Sequence, residues 1–377
     1  MRQALPLLLA AITELLPVAA IAACAPPPAA GDSWSVAAPE AADLDAPQLC
    51  ALVPWVEGWK ESDIHAVLVA RHEKLVFEQY FSGADERWGT PLGDVAHARD
   101  QLHDARSVTK SVVALVFGIA LDRGMVKGSL DTPVLDLLPQ YAPLRTPEKS
   151  KITVRHLLTM SAGLKWNENI PYGDPENSET QMDRASDPAR FVLSQDIATP
   201  AGEAYNYSGG SAVLIQAILR QATGKPLDVL TNDLLFASLG IEQADWVRYP
   251  ATGEPVAASG QRLLPRDFAK LGQLVLAHGV WQDKQIVPAQ FVGQATTSQI
   301  NGQQLYFYGY QFWLGRSFIH GREIDWSAAV GLGGQRIFIV PALDLVAVVN
   351  AGLYRSPLQA RVPLDVLNNF ALAAAGP

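Results

Sequence analysis

Apolar residues fill nearly every position from 111 to 120, which predicts a helix buried on all sides. Upstream, residues 46–59 set Leu49, Leu52, Val53 and Val56 on one face of a short amphipathic helix. Residues 66–70 and 75–81 are apolar, partly alternating runs around the polar turn Arg71-His72-Glu73-Lys74, the pattern of a β-hairpin. His65 and His72 then read as strand-end and turn residues. An irregular stretch containing Trp88 leads into the buried helix. Beyond it, helical periodicity returns at 152–160, with Val154, Leu157 and Leu158 inward, Thr153 as cap and Gly163 as stop. Further helices are predicted after Ser186-Asp187-Pro188, at 212–221 with Gly224 closing it, and at 227–235, 265–276 and 288–295. The character then changes to strands at 306–314, 331–341 and 343–349, followed by a closing helix over 357–372. Strands at both ends of the chain and helices between them predict an α+β fold. One sheet is built from the two ends, a helical second lobe covers it, and a site lies in the cleft between.

Composition narrows the picture. With 377 residues, 49% hydrophobic and 18% charged, the chain can bury a large core and has no long disordered tract. A net charge of −9 without any basic run argues against nucleic acid or anionic membrane as partner. At the N-terminus, Arg2 precedes an Ala/Leu-rich run up to Ala23, as in an export signal over residues 1–23. Ile21-Ala22-Ala23-Cys24 resembles a bacterial lipobox, whose cysteine would carry a lipid anchor; ordinary cleavage near Ala22 is the alternative. The expected location is therefore outside the cytoplasm: periplasmic, on the outer membrane as a lipoprotein, or secreted. Cys50 could pair with Cys24 only if Cys24 is not acylated, and two cysteines make no metal site. Residues 24–45, rich in Pro, Ala and Gly, read as a flexible tether ahead of a folded domain over 46–377.

Candidate chemistry gathers at two junctions. Ser107 opens the buried helix, where free backbone N–H groups and the positive helix end favour a developing anion. Lys110 lies three residues on, over the same face, and a lysine desolvated by burial can help take the serine proton. At the second junction, Pro200 to Gly210 forms a turn feeding a helix, where Tyr205 or Tyr207 can direct a hydroxyl at a neighbouring site. A phenol with a pKa of about 10 serves as a base at neutral pH only when cations such as Lys110 lower it. Between these junctions, residues 166–187 are polar and acidic, with the composition of a lid or binding loop or of a solvated excursion.

Taken together, Ser107-Val108-Thr109-Lys110, the stretch Thr153 to Leu164, Pro200 to Gly210 and the closing glycine-rich strand region resemble the serine hydrolases of the class C β-lactamase family. That family also holds penicillin-binding carboxypeptidases, esterases and 6-aminohexanoate-dimer hydrolases, and the resemblance covers roughly residues 46 to 377. It implies a β-lactamase/transpeptidase-like fold. It implies Ser107 as acylated nucleophile, Lys110 as its proton partner and Tyr207 as general base. The third position of the family's Tyr-x-Asn motif is Gly209, so an amide that usually binds substrate is missing. Counting fifteen residues back from Pro341 sets Trp326-Ser327-Ala328 where the family has Lys-Thr-Gly. An apolar Trp326 there favours neutral esters or amides over β-lactam carboxylates, unless Arg322 or Arg336 replaces the lost cation. The backbone N–H groups of Ser107 and Ala329 would form the oxyanion hole. Tyr172-Gly173-Asp174-Pro175 and Gly333-Gly334-Gln335 resemble the 6-aminohexanoate-dimer hydrolase branch, with Tyr172, Trp326, Ser327 and Gly209 lining the substrate site.

The resemblance thus implies an ester- or amide-cleaving serine hydrolase of small molecules, with no metal or organic cofactor. A β-lactamase, a D-alanyl-D-alanine carboxypeptidase-like enzyme, and a penicillin-recognising sensor that does not turn over are the alternatives.

Overall fold

The computed structural model describes residues 24–376. A nine-stranded sheet forms its spine. In chain order its strands are β1 (Ser35–Val36), β2 (Ile64–Arg71), β3 (Lys74–Tyr80) and, after a separate hairpin β4 (Ser82–Arg87) and β5 (Thr90–Ala96) and a short β6 (His103–Asp104), a C-terminal set. That set is β7 (Ile300–Asn301), β8 (Phe307–Tyr308), β9 (Trp313–Ile319), β10 (Arg322–Gly331), β11 (Gln335–Val340) and β12 (Leu345–Ala351). Across the sheet the order is β1-β3-β2-β12-β11-β10-β9-β8-β7, so the two ends of the chain meet where β2 pairs antiparallel with β12.

Both faces of the sheet are covered, which is why its central strands are apolar without interruption. On one face Leu68, Ala70, Ile337, Ile339, Val346 and Val348 pack under a helical lobe. That lobe includes α1 (Val108–Asp122), α2 (Val154–Leu158), α3 (Ser178–Asp183), α4 (Pro188–Ser194), α5 (Gly209–Thr223) and α6 (Pro265–Leu276). On the other face Val67, Val69, Phe338, Ala347 and Val349 meet Leu49, Leu52, Val366 and Phe370 from the terminal helices. The predicted 66–81 hairpin, the α1 helix, the 265–276 helix and the two-ended sheet are all present. The helix expected over 46–59 is split at Ala51 into Ala46–Cys50 and Leu52–Gly58.

Two segments differ from expectation. The stretch around Trp88 is a hairpin with a register shift at Asp85–Glu86: Arg87 pairs with Thr90, and Trp88 and Gly89 both take positive φ, as a two-residue turn requires. The expected tether at 24–45 is instead packed onto the domain. Trp34 is buried against Trp281, β1 pairs with β3, Asp32 bonds the Arg266 guanidinium, and Ala42 and Leu44 enter the core. A few large or charged anchors outweigh a Pro/Ala-rich composition. The lipobox-like Cys24 forms a disulfide with Cys50, and a sulfur so engaged cannot carry a thioether-linked lipid. The export-signal segment itself, residues 1–23, lies outside the described residues.

The crosslink spans 26 residues. Cys50→Ser should therefore lower the unfolding free energy by about 3 kcal/mol, measured by denaturant titration of the oxidised parent and the variant. A variant as stable as the parent would show that the crosslink does not constrain the unfolded chain.

Candidate active site

α1 begins one residue after Ser107, and its first turn carries Lys110 back over the serine, as three-residue spacing demands. The Lys110 Nζ donates to Ser107 Oγ at 3.0 Å and to the Ala258 carbonyl at 3.0 Å. Lys110 is 1% exposed, whereas Ser107 is only half-buried and so open to a substrate. The nucleophile's turn is held from behind by Arg106, whose left-handed backbone (φ 49°) is braced by an ion pair to Glu86 at 2.9 Å.

At the junction leading into α5, the Tyr207 ring lies 4.9 Å from Lys110 Nζ, and its hydroxyl is within reach of Ser107 and Lys110. Tyr205 points elsewhere. Its ring packs on Tyr308 and Trp313, and its buried hydroxyl finds no partner among the described residues. Serine, lysine and Tyr207 therefore converge.

The acidic 166–187 stretch belongs to this site, which its composition alone left open. Glu168 is buried beneath the loop. It accepts hydrogen bonds from Trp166 Nε1 (2.8 Å), the Gly209 N–H (2.7 Å) and the Tyr172 hydroxyl (3.0 Å). Glu179 on α3 lies beside it, its Oε2 4.0 Å from Lys110 Nζ. A Cβ on residue 209 would come within 2.3 Å of that same oxygen, which explains the glycine. The space that an asparagine side chain would enter is filled by carboxylates.

These charges set the resting protonation. Burial and the neighbouring Glu168 push Glu179 well above the usual carboxylate range. Burial works against Glu168 too, but Lys110, Glu179 and the Gly209 N–H overcome it and hold it low. Glu179 is thus the acid and Glu168 the anion of the pair. Burial alone would lower the Lys110 ammonium, yet the phenol and the two glutamates outweigh it and keep it above the ordinary lysine range. Burial raises Tyr207, and the pull of Lys110 does not cancel it. Lys110 at rest is therefore an ammonium rather than the neutral amine that burial by itself suggested, and Tyr207 a neutral phenol.

The strand side of the cleft differs from the count back from Pro341. Side chains alternate across a strand, and Trp326 falls on the face away from the helical lobe. Its indole fills the slot over Gly315, packs edge-on against Phe338 at 5.3 Å and donates to Ser317 Oγ at 3.1 Å. At 5% exposure it cannot line a substrate site. Arg322, at the far end of β10, reaches the Gly376 carbonyl. Arg336 on β11 donates to the Gly331, Gln335 and Gln359 carbonyls.

Ser327 and Ala329 alternate onto the opposite face; Ala329 lines a small void with Val108 and Ser111 of α1. The pairing of β9 with β10 ends at Trp313–Ala328, leaving Ala329–Gly331 uncovered on that edge. Gly331 lies against the nucleophile's turn, where a Cβ would meet the Ala105 carbonyl oxygen at 2.4 Å.

The Beta-lactamase family model matches residues 64–357. Over 361 residues the chain is 25% identical to the 6-aminohexanoate-dimer hydrolase of Paenarthrobacter ureafaciens, covering 90% of this chain and 83% of that one. It is also 25% identical to an uncharacterised protein, BpOF4_21049, of Alkalihalophilus pseudofirmus, over 62% of this chain and 65% of the relative. The fold matches EstCE1, a hydrolase with promiscuous acyltransferase activity, with a TM-score of 0.63 and 16% identity over 85% of this chain and 98% of that one.

Proposed function

The chain belongs to the β-lactamase family, and from that premise we propose that it hydrolyses an ester or amide bond of a small substrate through an acyl-enzyme on Ser107. The observation that carries the reading is the 3.0 Å contact between Lys110 and Ser107, with Tyr207 closing the third side. Ser107 Oγ attacks the carbonyl carbon. Its proton enters the Tyr207–Lys110 pair in the form that has first lost one proton to solvent, and passes to the leaving group as the carbon–leaving-group bond breaks. Water then attacks the ester, gives its proton to the same pair, and the proton returns to Ser107 as the acid departs. The Ser107 N–H and a donor from the open β10 edge at Ala329 would receive the oxyanion, each worth about 10²–10³ in rate. The hydrolase activity named for the Paenarthrobacter relative supports the hydrolytic reading.

The preference for neutral substrates loses its ground once Trp326 is turned away. Arg336, the other candidate cation, is held by the Gly331, Gln335 and Gln359 carbonyls and pairs with no carboxylate among the described residues. Export is part of the proposal, and the Cys24–Cys50 disulfide supports it, because such bonds persist in oxidising compartments.

The test is intact-protein and peptide mass spectrometry after incubation with a fluorophosphonate, alongside turnover of p-nitrophenyl esters, D-amino-acid amides and β-lactams. A single adduct on Ser107 with turnover of an ester or amide is expected. An adduct elsewhere overturns the mechanism. An adduct that persists without any turnover overturns the enzyme reading in favour of a sensor.

The charge pattern adds a pH signature. Because Tyr207 is raised, kcat/KM for an ester should climb with pH as the Tyr207–Lys110 pair loses a proton. Glu168 raises both partners, so Glu168→Gln should move that climb to lower pH, by roughly one unit. An unmoved profile would mean that Glu168 does not act on the proton shuttle.

A further inference from the structure

Three histidines and an aspartate converge at a second place, outside the Ser107 site. His65 on β2, His97 just after β5, His103 on β6 and Asp85 on β4 bring one ligand-type atom each within 4.8 Å of one another. His65, His103 and Asp85 are buried and His97 is half-buried. This is a costly arrangement for four polar side chains unless something satisfies them together.

The hydrogen-bond inventory of these groups does not close while the three imidazoles are neutral. His103 Nδ1 faces the Asp104 carbonyl at 3.1 Å and must donate to it, which leaves Nε2 as a bare lone pair directed into the cluster. His65 Nδ1 lies 2.8 Å from that lone pair. If Nδ1 carries the His65 proton, then His65 Nε2 is bare and faces the Asp63 carboxylate at 3.4 Å, two acceptors with no hydrogen between them. If Nε2 carries the proton, two nitrogen lone pairs confront each other at 2.8 Å. His65 Nε2 and His97 Nε2 are both buried without a partner among the described residues. A second proton on His65 would settle that pair but leaves His97 Nε2 without a partner; a metal ion between the nitrogens settles both, with His65 Nε2–H donating to Asp63 while Nδ1 and His103 Nε2 bind the ion.

From this the geometry points to a divalent first-row metal site, with zinc the best fit, formed by His65, His97, His103 and Asp85. Three imidazoles and one carboxylate are a ligand set that suits zinc. Two ligands of one tetrahedral zinc at 2.0–2.1 Å sit about 3.3 Å apart. The observed His65–His103 and His103–Asp85 separations, 2.8 and 3.8 Å, bracket that value. The ring centroids of His65 and His97 lie 5.1 and 5.4 Å from that of His103. The His65 and His97 rings are stacked at 3.9 Å, so binding one ion together requires His97, in the loop after β5, to tilt.

The outer shell is also present. Asp104 and Asp63 orient the imidazoles, and the Tyr354 hydroxyl (3.0 Å) and Glu86 N–H (2.8 Å) hold Asp85.

Such an ion would tie β2, the β4–β5 hairpin and β6 together immediately upstream of Ser107, since His103 is followed by Asp104-Ala105-Arg106. Its role is positioning; none of its ligands touches the reacting atoms.

The experiment is titration of EDTA-treated whole protein with Zn²⁺ in competition with a chromophoric chelator, and with Co²⁺ read by its visible absorption. One equivalent of zinc per chain is expected, bound at least tenfold more weakly by His97→Ala and by Asp85→Asn, with the Co²⁺ spectrum of a tetrahedral nitrogen/oxygen site. Zinc should raise the melting temperature of the parent and not that of His97→Ala. His72→Ala, a surface imidazole facing Asp344, should behave as the parent. The parent titration needs no variant to fold. Failure of the parent to bind one equivalent, or equal binding by His97→Ala and Asp85→Asn, overturns the site.

Discussion

Replacing Ser107 with alanine should lower kcat for an activated ester by about 10⁴-fold or more while leaving the melting temperature close to that of the parent. The loss is large because the acyl group has no other attachment point, and the residual rate comes from binding and the oxyanion donors alone. Stability holds because Ser107, although first in line for α1, makes no capping hydrogen bond, and Lys110 keeps its bond to the Ala258 carbonyl. The change should stay within about 1 kcal/mol. Steady-state kinetics and thermal melts on one preparation check both halves. Retained turnover would exclude the serine. Lys110→Ala is a poorer probe, because removing a buried cation beside Glu168 and Glu179 can cost about 3–5 kcal/mol and confuse folding with chemistry.

The second large effect is expected at Tyr207→Phe, a loss of about 10²–10⁴ in kcat with little change in KM. The ring keeps its place against Trp313 at 5.9 Å and over Lys110, so only the hydroxyl is lost. Single-turnover measurements should show both steps slowed, since the same phenol moves the proton in acylation and in deacylation. If acylation alone slows, another base serves the water. If neither slows, Lys110 carries the proton by itself and Tyr207 is a packing residue.

Much of this site is legible in the sequence. Ser107 and Lys110 share a helix, so their spacing alone sets their relation, and Tyr207 sits at a loop–helix junction marked by glycines and a proline. What could not be read depended on neighbours distant in sequence. Trp326 was positioned by counting along the chain, but which face it occupies follows from strand alternation and from the empty slot that Gly315 provides on the adjacent strand. Glu168 and Glu179 were visible as acids in a polar loop. That they turn inward depends on Lys110 and on Gly209, whose missing side chain was read as an absence when it is the space the carboxylates occupy. The 24–45 segment misled in the same way, because Arg266, the partner of Asp32, is far along the chain. The β4–β5 hairpin has little local signal, since Ser82–Arg87 and Thr90–Ala96 are rich in Gly, Ala, Asp, Glu and Pro, residues depleted in strands.

The pairing of β2 with β12 has a consequence for biosynthesis. The hairpin made early on the ribosome must wait, one edge open, until almost the whole polypeptide has emerged before its neighbour arrives. Products truncated short of Leu345 would keep that apolar edge bare and should accumulate as aggregates rather than as partly active fragments.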